Sequence, residues 1–127
     1  MSTTKALENK SETTEELNSI IIDSIQDIKG KNIIKLDLRP LEDAPADYFI
    51  ICEGESSTQV KAIAENVYKT VKDELGYIPH REGQAYANWV LVDYFDTIVH
   101  VFYPDARALY DLEDLWSDAV FTEFQNL

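Results

Sequence analysis

Apolar residues recur at helical spacing twice along the chain. Leu17, Ile20, Ile21, Ser24, Ile25 and Ile28 fall three or four apart and predict one amphipathic helix. The stretch SETTEE before them supplies hydroxyl caps and then acids, which suits a helix start, and Gly30 suits its end. Val60, Ile63, Ala64, Val67, Val71 and Leu75 repeat the stripe, with Ser56 or Ser57 placed to cap it and Gly76 to close it. Four segments predict strands: NIIKLDL (Asn32 to Leu38), YFIICEGE from Tyr48, WVLVDY from Trp89, and TIVHVFY from Thr97. The second is almost continuously apolar, so it is expected to be buried on both faces. The last two are close enough in sequence to predict an antiparallel hairpin. RPLEDAPADY reads as a turn-rich connection and YIPHREGQAYAN as a mobile loop. PDARALYDLEDLW opens on proline and an acid and predicts a short helix, which SDAVFTEFQNL either extends or leaves frayed. Residues 1–12 read as a flexible tail, 13–119 as one domain and 120–127 as a C-terminal tail. The order α-β-β-α-β-β-α predicts a single-domain α/β fold, a mixed sheet with flanking helices.

Aromatic residues are not spread evenly over these elements. Seven of the fourteen lie between Trp89 and Trp116: Trp89, Tyr94, Phe95, Phe102, Tyr103, Tyr110 and Trp116. Side chains alternate along a strand, so Ile98, His100 and Phe102 share one face, and Val99, Val101 and Tyr103 the other. Both faces are largely apolar. Two long helices either cover one face of such a sheet or thinly cover parts of two, and a short helix after Pro104 is not enough to close the remainder, so some aromatic surface is expected to stay open. The aromatics are therefore either core or an apolar surface for another protein.

Charge narrows the kind of partner. Acidic residues number 24 against 11 basic ones, a formal net charge of −13. Such a chain repels nucleic-acid phosphates and anionic membranes, and the charge either attracts a cationic protein or serves only solubility. The length of 127 residues fits one domain with its own core. A single cysteine, Cys52, excludes an internal disulfide and any zinc site built on several thiolates. No stretch approaches the length of a membrane span, and the N-terminal region lacks the apolar run of a signal peptide and the arginines of an organelle transit peptide. A cytoplasmic protein is expected.

Candidate chemistry is sparse. His100, between apolar neighbours, is either a hydrogen-bonded sheet residue or a general base or ligand. His80 has no histidine or cysteine at ligand spacing. Asp93 and Asp96 either converge on a cation across a turn or cap backbone groups there, and they also suit basic residues of a partner. GESS (Gly54 to Ser57) occupies a strand-to-helix turn but lacks a nucleotide fingerprint, and Glu53 and Glu55 repel phosphate. Cys52 sits in an apolar strand, where cysteine usually packs. DLEDLWSD is an acidic helical face or a landing site for lysine and arginine.

Taken together and in order, ADYFIICEGESSTQVKAIAENV, HREG and WVLVDYFDTIVHVFYPDARALYDLEDLW resemble the Iojap family of ribosomal silencing factors (RsfS). The resemblance covers about Leu17 to Ala119. It rests on Asp47-Tyr48-Phe49, Gly54, Ser56, Glu82-Gly83, Trp89 through Asp96, His100-Val101-Phe102, Arg107, Tyr110, Leu112, Leu115 and Trp116. It implies a nucleotidyltransferase-like fold without the active site, since Glu55 interrupts the glycine-serine turn and Asp93 and Asp96 have the wrong spacing. No enzyme activity, cofactor or metal is expected. The implied function is docking on the large ribosomal subunit, through its ribosomal protein number fourteen, to block joining of the small subunit and repress translation. Large-subunit assembly and a metal-dependent nucleotidyltransferase activity are the alternatives. The implied docking surface is Trp89, Leu91, Asp93, Tyr94, Asp96, His100 and Phe102. Trp89 and Tyr94 would serve as aromatic anchors, Asp93 and Asp96 would meet basic groups, and His100 and Phe102 would support the sheet face. Little direct nucleic-acid contact is expected, and a homodimer through the same surface when the protein is free. Two departures stand out. Phe95 replaces the family's usual glycine, which strains the turn if φ is positive there, and Ser57 and Thr58 stand where a basic residue is common.

Overall fold

A computed structural model describes residues 3–127, with side chains from Thr13 onward. The elements are α1 (Thr3–Asp27), β1 (Lys31–Asp37), β2 (Tyr48–Glu53), α2 (Ser57–Leu75), β3 (His80–Glu82), β4 (Trp89–Asp93), β5 (Thr97–Phe102), α3 (Pro104–Tyr110), α4 (Leu112–Leu115) and β6 (Val120–Glu123). Six strands form one sheet in the order β3-β4-β5-β2-β1-β6. Only β2 and β5 run parallel; every other neighbouring pair is antiparallel, including the predicted β4–β5 hairpin.

Both helical stripes are where the periodicity puts them. In α1, Leu17, Ile21, Ser24 and Ile25 are buried, and Asn18 and Ile22 join them. The helix stops in a left-handed turn at Lys29 (φ 61°), closed by Gly30 N–H to Ile25 C=O and Lys29 N–H to Gln26 C=O. Gly30 is needed for closeness, because a Cβ there would stand 2.4 Å from Ile25 Cγ2. In α2, Ser56 Oγ accepts the Gln59 N–H at 3.1 Å, and Val60, Ile63, Ala64, Val67 and Val71 are buried, with Gly76 as the C-cap. The two helices pack side by side on one face of the sheet, over Ile33, Ile50, Cys52, Val90, Val92, Val99 and Val101. Thr97 Oγ1 donates to Asn18 Oδ1 at 2.7 Å in the same core.

A second, smaller core lies on the opposite face. Ile34, Leu36, Leu38, Phe49, Ile51, Ile98 and Phe102 meet Leu112 of α4, with Leu41, Ala44 and Ala46 from the β1–β2 connection and Ala106, Trp116 and Ala119 from the C-terminal segment. Arg107 ties this cover down. Its Nη1 donates to Asn32 C=O at 2.6 Å and lies 3.2 Å from Glu53, and its Nε lies 3.2 Å from Glu113. β2 and β5 at the centre are buried on both faces, as the apolar runs require.

Three expectations are corrected. The loop YIPHREGQAYAN contains β3, whose three polar residues carry no alternating signal. Its Arg81 turns toward α2, 3.1 Å from Glu65 and 3.9 Å over the Tyr68 ring. The helix after Pro104 breaks at Asp111 (φ 45°) into α3 and α4. Residues 120–127 do not extend a helix; β6 pairs with β1 through backbone bonds while its side chains stay exposed. The predicted tail 1–12 lies outside the described residues at its first two positions and in all its side chains, and the described backbone is helical from Thr3. No helix among the described residues is long and apolar enough to cross a membrane.

Candidate partner-docking site

β4 alternates cleanly. Val90 and Val92 are buried under α2, while Trp89, Leu91 and Asp93 project from the other face and are only half buried. Across the hairpin Trp89 pairs with Phe102, Leu91 with His100 and Asp93 with Ile98. α3 and α4 cover the β5-β2-β1 part of this face and leave its β4 part open. Trp89 is therefore at the boundary between core and solvent.

The Trp89 indole is held from three directions. It stacks on Phe102 at 5.0 Å and meets Tyr110 at 4.6 Å. Its Nε1–H donates to His100 Nδ1 at 3.0 Å. An indole nitrogen only donates, so His100 Nδ1 must keep its lone pair and carry its proton on Nε2. Burial pushes the His100 pKa down to about 4, which keeps the ring neutral. His100 is 4% exposed, its Nε2 has no hydrogen-bond partner among the described residues, and the Phe49 ring stands 4.4 Å away. His100 and the fully buried Phe102 thus seat Trp89 from below and are buried themselves.

Next to Trp89 opens a groove of about 530 Å³, lined by Tyr86, Leu109 and Tyr110 with Asp105 also in its wall. Tyr86, Leu109 and Tyr110 are all exposed; Tyr110 was one of the seven clustered aromatics, whereas Tyr86 and Leu109 were not expected from the sequence.

The remaining expected residues separate. Tyr94 does not stand beside Trp89 as a second anchor. Its ring packs against the α1–α2 core, its hydroxyl is buried without a partner among the described residues, and burial raises its pKa. Asp93 Oδ1 accepts the Phe95 N–H at 2.7 Å, and the Asp96 carbonyl accepts the N–H groups of Asp47 and Tyr48, both at 3.0 Å. Asp93 therefore caps backbone, one of its three expected roles. Among the described residues no group of three His, Cys, Asp or Glu side chains is arranged to hold a metal ion. Ser56 caps α2, Glu55 pairs with Lys31 at 2.7 Å, and burial pushes the Cys52 thiol up to about 12, so the turn and the cysteine serve packing.

The family model described as ribosomal silencing factor during starvation (RsfS) matches residues 11–127. The ribosomal silencing factor RsfS of Halalkalibacterium halodurans is 36% identical, over 91% of this chain and 97% of its own length. That of Bacillus subtilis is 46% identical over 73% of this chain and 78% of its own. A crystal structure of a Chromobacterium violaceum protein superposes with a TM-score of 0.77 at 40% identity, covering 81% of this chain and 85% of that one. Sequence, fold and match thus agree over nearly the whole length, and the chain belongs to the family of ribosomal silencing factors.

Proposed function

We propose that this protein represses translation by docking on the large ribosomal subunit and sterically blocking the small one. The observation that carries the reading is Trp89: a half-open aromatic locked by His100, Phe102 and Tyr110 beside exposed apolar residues. Such a rigid, partly desolvated aromatic is the usual anchor of a protein interface. The net charge of −13 favours a basic partner, and ribosomal protein number fourteen of the large subunit is that partner in this reading. Leu91 extends the apolar contact, and Asp93 and Asp96 present charge at the end of β4. His100 and Phe102 act through Trp89. Function is by occupancy, with no chemical step and no cofactor. In the absence of ribosomes the same open face pairs with a second copy, so dimerisation competes with docking.

The test is co-sedimentation with isolated large and small subunits at low and moderate salt. Pelleting with the large subunit alone, weakened by salt, is the expected result. A folded Trp89→Ala variant that binds at full strength would remove this face from the interface.

A further inference from the structure

The β4–β5 connection is a three-residue turn. Asp96 N–H bonds to Tyr94 C=O at 3.0 Å around Phe95, whose φ is 76°. A γ-turn with positive φ at its centre is the rare, strained form, and a bulky side chain makes it worse. The surroundings force it. Tyr94 N–H bonds to Thr97 C=O at 2.9 Å, Asp93 Oδ1 caps Phe95 N–H, and the Asp96 carbonyl is tied to Asp47 and Tyr48 at the start of β2.

Among the described residues the ring gains nothing for this. Phe95 is 84% exposed and packs into neither core. Glycine would relieve the backbone and remove an exposed aromatic at once. Strain that the fold enforces but does not use points to a use outside the fold. The ring also has company. Tyr77 and Ile78 are exposed too and line, with Phe95, Asp93, Asp96 and His80, one hollow of about 770 Å³.

We propose that Phe95 is a binding residue, which with Asp93 receives an arginine- or lysine-bearing segment of the same large-subunit protein that covers Trp89. An exposed aromatic ring in a hollow also lined by a carboxylate suits a guanidinium, which stacks on the ring while its N–H groups reach the acid. Asp93 makes the surface continuous, because it shares the open face of β4 with Trp89 and Leu91. This inference rests on the docking reading above.

The consequence is a divergence between stability and binding, read on Phe95→Gly. Its melting temperature rises by about 2–5 °C as the turn relaxes. Its affinity for isolated large subunits falls roughly five- to tenfold. Phe95→Asn, which tolerates a positive φ, loses affinity likewise. A lower melting temperature in Phe95→Gly would overturn the strain, and unchanged affinity would overturn the binding role. Trp89→Ala, measured alongside, separates the two failures. Weak binding by Trp89→Ala with full binding by Phe95→Gly removes only Phe95, whereas full binding by both removes the docking reading itself.

Discussion

Beneath α1 and α2, Ile50, Cys52, Val90, Val92, Val99 and Val101 are sealed from water; on the other side of the same strands, Trp89 and Leu91 stay half open and Tyr110 and Leu109 are exposed. Both faces are built from equally apolar strands, so composition does not explain the difference. Cover does. α2 has 19 residues and spans about 28 Å, whereas α3 has 7 and spans about 10 Å. One face is closed by length and becomes core; the other runs out of helix before the sheet ends and becomes a surface.

Substitutions on the two faces should therefore fail in different ways. Ile63→Ala, at a fully buried position of α2, should cost about 4 kcal/mol in urea unfolding while the remaining folded protein docks normally. Acid should act on the open face through His100. Its folded pKa of about 4 lies below the ordinary 6.5, so the unfolded chain binds the extra proton first. Stability from this group is complete above about pH 6.5 and falls away toward pH 4, by roughly 3 kcal/mol in all. His100→Phe should flatten that part of the pH profile.

Arg107→Met should cost about 2 kcal/mol, because it leaves Glu53 and Glu113 partly buried without their cation. Hydrogen exchange should then speed up in α3 and α4 before it does in α1 and α2; uniform acceleration would mean the two faces unfold together. Trp89→Ala should leave circular dichroism unchanged and weaken large-subunit binding by about thirtyfold, near 2 kcal/mol.

The long elements were legible because each carries a full period of burial. Val60 to Val71 and Tyr48 to Cys52 have nearly every apolar residue where its own geometry demands it. β3 and β6 were not legible, since HRE and VFTE are edge segments held by backbone bonds that leave no side-chain pattern. The site was half legible. Alternation grouped His100 with Phe102 along one strand, but only the β4–β5 register put Trp89, Leu91 and Asp93 on the same face, and Tyr94, implied as a second anchor, went to the opposite core. Tyr86 and Leu109 joined the open surface through a loop and a helix whose positions no local pattern specifies.

The chain's own pattern determines two amphipathic helices, doubly apolar central strands, a hairpin turning at Tyr94-Phe95-Asp96, and a net charge of −13. These follow from periods of two and 3.6 residues and from counting charges, which are local or additive properties. Tertiary structure decides the rest: which strand face each helix covers, that Trp89 hydrogen-bonds to His100, and that Phe95 is held at a positive φ. Those depend on contacts between residues far apart in the chain, such as Asp96 with Asp47 and Arg107 with Asn32, and only the packed sheet brings them together.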